Sequence, residues 1–226
     1  MAGTMVTFPA SGASATGYLS TPADGTGPGL IVLQEWWGLV DHIKQVTDRF
    51  AEAGFVAMAV DLYRGVQAQS PDEAQRMLMS MDLGETAEAL RGAAQYLMSH
   101  PAVMPARIGV LGFCMGGQLA LFAATEHADV ISAAVDFYGI FNPRVPVDLS
   151  KLKAPVQLHF GDHDKSISRE KADGLIAGIA ATGVAYEPYF YDAGHAFFND
   201  RKSAYNEAAA ELAWTRSVEF LHRTLG

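Results

Sequence analysis

The hydrophobic positions of this chain change period repeatedly, and the changes mark out its elements. Residues 5–8 and 16–20 read as short strands joined by the turn-like Pro9-Ala10-Ser11-Gly12. Thr21 to Gly29 is rich in Gly and Pro and reads as a surface loop. Leu30-Ile31-Val32-Leu33 is an unbroken apolar run, the pattern of a central strand covered on both faces. From Asp41 the spacing turns helical. Ile43, Val46, Phe50 and Ala53 share a face, Asp41 is placed to cap the helix, and Gly54 stops it. The same alternation then repeats. Strands are predicted over 55–60, 107–111, 132–137, 156–160 and 186–191, and helices over 85–99, 118–124, 168–182 and 205–225. Between them, 143–155 is a proline-bearing loop.

Alternating strands and helices predict an α/β fold: a mostly parallel central sheet with helices on both faces, entered by an antiparallel N-terminal part. One domain over 1–226 is the simplest division. Residues 61–86 are the least regular stretch. Pro71-Asp72-Glu73 starts a helix there, and Met77, Met79 and Met81 follow. The segment reads either as packing over the sheet or as a lid-like excursion beside a cleft.

Composition narrows the function. Half of the 226 residues are hydrophobic and 18% are charged, as in a globular protein with a sizeable core. The formal charge of −9 and the lack of any basic run exclude nucleic acid as an expected partner. A small anionic substrate, which needs only one or two local arginines, is still compatible. No apolar run approaches the ~18 residues of a membrane span, and the N-terminal residues lack a leader pattern. A cytoplasmic location and a monomer or small homo-oligomer are expected.

The candidate chemistry lies at strand ends, where open parallel sheets form their sites. Gly112-Phe113-Cys114-Met115-Gly116-Gly117 joins a predicted strand to a predicted helix and holds the only cysteine of the chain. Small residues two before and two after a nucleophile-type residue make the nucleophile elbow of the α/β-hydrolases. The turn strains the central residue, and side chains at 112 and 116 would collide with their neighbours. Gly161-Asp162-His163-Asp164 ends another strand. Either acid could orient a histidine; Asp164 is preferred because Lys165-Ser166-Ile167 leads from it into the next helix, and Asp162 is the alternative. Ala193-Gly194-His195 ends the last strand, giving the order nucleophile, acid, histidine. His159 reads as a packed core histidine, and the remaining five as helix, loop or cap residues. Gln34-Glu35-Trp36-Trp37-Gly38 follows the strand 30–33. In this fold the loop here supplies one oxyanion-hole N–H, assigned to Trp36, and the residue after the nucleophile, Met115, supplies the other. Glu35 is either a carboxylate of the site or a surface acid or salt-bridge partner. His159, Asp162, His163 and Asp164 are close in sequence but face different ways, so no metal and no cofactor are expected.

These motifs together resemble the dienelactone hydrolase family, the carboxymethylenebutenolidases. The resemblance rests on Gln34-Glu35-x-x-Gly38, Asp61-Leu62-Tyr63, the cysteine elbow, Gly161-x-x-Asp164 and Ala193-Gly194-His195-x-Phe197, and covers nearly the whole chain. It implies a triad of Cys114, Asp164 and His195, with Glu35 hydrogen-bonded to the resting thiol. The family's arginines bind a substrate carboxylate. Arg76 fits one of them; the other position, four after the histidine, is Asn199 here, with Arg201 two further on. Trp37 and Phe113 are expected to line the substrate site. The implied reaction opens an enol lactone to a keto acid; another activated ester or thioester is the alternative. A cysteine suits such substrates. A thiol, with a pKa near ~8.5, leaves more readily than an ordinary alkoxide, so plain esters would eject the sulfur again. An enolate is a weaker base and leaves first.

Overall fold

The computed structural model describes residues 3–23 and 25–226. Met1 and Ala2, part of the stretch read for a leader, and Asp24 of the predicted surface loop lie outside them. Strands β1 (Thr4–Ala10) and β2 (Ala13–Ser20) form an antiparallel hairpin. Its two turn residues, Ser11 and Gly12, both have positive φ (40° and 82°), the twist that suits a two-residue connection.

The remaining elements are β3 (Gly27–Leu33), α1 (Asp41–Glu52), β4 (Val56–Val60), α2 (Pro71–Ser80), α3 (Leu83–Ser99), β5 (Val103–Phe113), α4 (Met115–Glu126), β6 (Ile131–Phe137), β7 (Val156–Gly161), α5 (Arg169–Thr182), β8 (Tyr186–Tyr191) and α6 (Glu207–Leu225). One sheet runs in the order β1-β2-β4-β3-β5-β6-β7-β8. The hairpin meets β4 antiparallel, and β4, β3, β5, β6, β7 and β8 pair parallel. The α/β architecture with an antiparallel entry is therefore as expected. It also puts the carboxyl ends of β3, β5, β6, β7 and β8 on a single rim.

Period-two alternation in the strands divides the core. Ile31 and Leu33 face α3, α4 and α5, while Leu30 and Val32 face α1 and α6. Helix α4 is buried all round, every residue but Glu126, so it carries no amphipathic stripe and packs against β3, β5 and β6.

Several boundaries differ from expectation for physical reasons. Strand β3 begins at Gly27, inside the predicted loop. A Cβ at Gly27 would lie 2.0 Å from Gly54 O, and one at Gly29 2.5 Å from Ile108 Cδ1. These glycines mark close packing between strands, not a turn. Asp41 is in the first turn of α1 and Val40 is the cap residue, so the aspartate meets the helix dipole without bonding the end. Helix α6 starts two residues late because Asn206 caps it through Ala209 N. In the irregular 61–86 stretch, Ser70 caps α2 and Pro71 is its first residue. Met77 and Met81 pack on the core, while Met79 is exposed. The Arg144 guanidinium donates to Met79 O, tying this stretch to the loop after β6.

Candidate active site

The sharpest local constraint lies between β5 and α4. A Cβ at Gly112 would be 1.9 Å from Gly116 O, and one at Gly116 2.5 Å from Leu33 O. Only glycine lets strand, turn and helix approach this closely. Cys114 between them has φ 55° and ψ −113°, a conformation that costs a non-glycine residue about 1–3 kcal/mol. Surrounding hydrogen bonds hold it there. Its N–H donates to Phe137 O at 2.9 Å, and its carbonyl accepts from Ile140 N at 3.2 Å. Burial and the Glu35 charge push the Cys114 thiol well above the ordinary range, and a hydrogen bond from the Met115 backbone opposes them.

The acid and the histidine come from adjacent strand ends that are laced together. Asp162 N donates to Tyr191 O at 2.8 Å and His163 N to Ala193 O at 3.0 Å. A Cβ at Gly161 would lie 2.3 Å from Ala193 O, so the two loops touch through backbone. Asp164 Oδ2 and His195 Nδ1 are 2.7 Å apart, and the Asp164 side chain is almost wholly buried. The other oxygen, Oδ1, accepts from Ser166 N and Ile167 N at 2.7 and 3.0 Å. Such a carboxylate fixes both ring orientation and tautomer, placing the proton on Nδ1 and leaving Nε2 free to accept. Of the two candidate acids, Asp162 is exposed and pairs with Arg169 at 3.6 Å instead. Tyr138 and Ala196, both at positive φ (42° and 61°), flank the histidine, and the Tyr138 ring sits edge-on to it at 5.1 Å.

Glu35 is 2% exposed, so the surface-acid reading fails. Its Oε2 accepts from Asn199 Nδ2 at 2.7 Å, and Asn199 Oδ1 accepts from Arg201 N at 3.0 Å. Burial raises the Glu35 pKa, against the Asn199 hydrogen bond and the influence of the nearby His195 and Lys202 side chains. The expected hydrogen bond from the Cys114 thiol to Glu35 is not made among the described residues: Glu35 is bonded to Asn199 and His195 to Asp164, and Glu35 raises the thiol pKa through its charge. Asp61-Leu62-Tyr63 also gains a role. Asp61 accepts from Tyr63 N and Gly65 N, and the Tyr63 hydroxyl reaches Met115 Sδ at 3.2 Å.

The predicted substrate residues fare unevenly. Phe113 is fully buried, stacked at 5.2 Å on Phe198 and 4.9 Å from Phe137, so it is a core residue and not a substrate contact. The Arg201 side chain is 62% exposed, with its guanidinium on Gln45 and near Asp200. Arg76 is on the exposed side of α2, opposite buried Ala74. Trp36 and Trp37 are half-buried and meet edge-on at 5.4 Å. The cation that accompanies them is one the motifs missed: Lys202 Nζ lies 3.8 Å over the Trp37 ring. Asn199, the partner of Glu35, was noticed only as a missing arginine. Asp136, at the end of β6, carried a visible signal as the one acid in an otherwise small and apolar strand.

With this geometry in hand, comparison with known proteins is specific. The family model "Dienelactone hydrolase family" matches residues 15–225. The protein named Usf of Aquifex pyrophilus is 33% identical, over 99% of both chains. A "putative carboxymethylenebutenolidase" of Aquifex aeolicus is 30% identical over 96% of this chain and 97% of its own. A "probable 2-oxo-3-(5-oxofuran-2-ylidene)propanoate lactonase" of a Bradyrhizobium species is 32% identical over 93% and 90%. Among solved structures, the "putative dienelactone hydrolase" of Klebsiella pneumoniae superposes with a TM-score of 0.89 at 26% identity, covering 98% of each chain. The chain belongs to the dienelactone hydrolase family, carboxylic-ester hydrolases with the α/β-hydrolase fold.

Proposed function

We propose that this protein opens an enol lactone to a keto acid through an acyl-enzyme on Cys114. The observation that carries the reading is the buried Asp164–His195 pair, 2.7 Å apart, on the same rim as a strained cysteine at the head of a helix. His195 Nε2 takes the thiol proton as the sulfur attacks the lactone carbonyl. The tetrahedral oxyanion forms against the backbone N–H groups of Met115 and Trp36. Collapse expels the enolate, which takes the proton held by His195 and becomes the ketone, leaving the imidazole neutral. Water activated by His195 then hydrolyses the thioester and frees the thiol. Glu35 keeps the sulfur protonated until substrate arrives, because a neighbouring anion disfavours the thiolate. Lys202, beside Trp37 and within electrostatic reach of Glu35, is the cation available to a substrate carboxylate. One relative's name, a lactonase for a furanylidene propanoate, points to the same substrate class.

A second reading keeps the mechanism and changes the substrate to another activated ester or thioester. Asn199 favours it, since its amide is spent on Glu35 and offers no charge to an anion. Steady-state rates on 4-carboxymethylenebutenolide, an aryl ester and an acyl thioester separate the two. Preference for the lactone, with a KM raised in Lys202→Ala, is the expected outcome. Cys114→Ala should abolish turnover of every member; activity surviving in that variant would sink both readings.

A further inference from the structure

Tyr63 takes no part in the reaction above, yet it touches the site at two places. Its hydroxyl reaches Met115 Sδ at 3.2 Å, on the residue that follows Cys114. Its ring lies beside the loop that carries Glu35 and Trp36, since a Cβ at Gly38 would be 3.5 Å from Tyr63 Cδ2. Burial and the Cys114 charge both raise its pKa, so hydroxyl and sulfur are within electrostatic reach. The backbone beneath it is held by Asp61, which accepts from Tyr63 N and Gly65 N.

Tyr63 is also part of the wall of a cavity of about 700 Å³, within the size range of small-ligand sites. The β1–β2 hairpin, the 61–66 loop, α2 and α3 bound it. Its acids leave little call for a charged occupant. Asp61 and Asp82 accept from backbone N–H groups, Glu85 pairs with Arg64, and Glu88 is exposed to solvent. The remaining lining includes Met77, Met81 and Ala89, and methionine adapts its shape to hydrocarbon. A neutral, flexible chain suits these walls better than an ion does.

We propose that Tyr63 sets the size of acyl group that the enzyme accepts, its ring standing between Cys114 and this cavity. Small acyl groups stay on the near side of the ring. A long chain, which the cavity has room for, is stopped by it. The proposal rests on Cys114 as the nucleophile and adds a size limit to that reading.

Values of kcat/KM on p-nitrophenyl acetate, butyrate and octanoate test it. In the parent, octanoate should fall at least about ten-fold below acetate. Tyr63→Ala should raise the octanoate-to-acetate ratio by at least about ten-fold. Tyr63→Phe should keep the parent ratio, because the ring and not the hydroxyl is the obstacle. Adding Ala89→Trp to Tyr63→Ala should cancel the gain by filling the cavity. A merely structural role for Tyr63 would lower all three esters alike and leave the ratio where it was. Labelling of Cys114 with N-methyl- and N-octyl-iodoacetamide, followed by mass spectrometry, should show the same shifts. It needs no turnover, so it decides the size limit even if the parent hydrolyses none of the esters and the hydrolase reading fails. The proposal is overturned by a parent that handles the long and short reagents equally, by an unchanged ratio in Tyr63→Ala, by a shifted ratio in Tyr63→Phe, or by a gain that survives Ala89→Trp. Should Tyr63→Ala fail to fold by circular dichroism, Tyr63→Leu replaces it in both assays.

Discussion

Cys114 and Asp136 are both buried acids, and burial acts on them in the same direction. Each is held towards its protonated form because desolvation outweighs the backbone hydrogen bond that favours its anion, from Met115 for the thiol and from Gly139 for the carboxyl. For Cys114 the second cause is the Glu35 charge, so Glu35→Gln should lower the thiol pKa. Iodoacetamide labelling of the resting protein at pH 7.5, followed by mass spectrometry, should then be faster, by about ten-fold for each pKa unit released. An unchanged or slower rate would remove Glu35 as the guard of the sulfur. For Asp136 the consequence is thermodynamic. Its folded pKa, about 7, lies above the unfolded value near ~3.9, so between these pH values the native state holds the extra proton. Stability from this group is present below about pH 4 and is lost as pH rises through 7. Asp136→Asn should therefore gain about 1–3 kcal/mol over the parent at pH 8, with the gain shrinking by pH 5, in urea denaturation. Sequence made the two residues unequally visible. Cys114 sits inside a glycine frame whose mechanics can be read from six adjacent letters, whereas the burial of Asp136 is decided by α4 and the loop after β6. Lys202 escaped for the same reason: its partners, Trp37 and Glu35, are far away in the chain.

Among the elements, the β5–α4 connection and the end of α5 show two different uses of glycine. At Gly183, φ is 79° and a Cβ would meet nothing within 4 Å, so the residue is there for its left-handed backbone alone. At Gly112, by contrast, the obstacle is the Gly116 carbonyl, which cannot swing away without unwinding α4. Gly183→Ala should accordingly cost about 1 kcal/mol in urea denaturation. Gly112→Ala should cost at least about 3 kcal/mol or prevent recovery of folded protein. Equal effects would show that the elbow tolerates a side chain after all. The start of β3 is the instructive miss at this scale. Gly27-Pro28-Gly29 has the composition of a loop, but its glycines answer to Gly54 and Ile108, contacts that local pattern cannot register. Element types elsewhere were legible because strand runs and helical faces each recur at their own period.

On the scale of the whole molecule, the sheet order puts six parallel strand ends on one rim, and the site residues follow from that. Topology was readable because strands and helices alternate, which leaves few right-handed arrangements. Charge behaviour of the whole fold was not readable. His159 is buried on β7, one strand in from the edge of the sheet, between Gln157, Ser217 and the Tyr191 hydroxyl, and burial lowers its pKa to about 3. The unfolded value is near ~6.5, so on acidification the unfolded chain takes up a proton that the native state refuses. Stability should fall as pH drops from about 6.5 towards 3, and His159→Gln should flatten that slope, by about 2–3 kcal/mol between pH 7 and pH 4.5. Urea midpoints at the two pH values check it; parallel curves for parent and variant would refute it. The enclosure of α4 has its own kinetic outcome. Water reaches this helix almost nowhere, so its amide protons can trade for deuterium only when the surrounding layers separate. The platform beneath the sulfur is thus among the last parts of the protein to let solvent in, and it loses its shape only when the entire fold does.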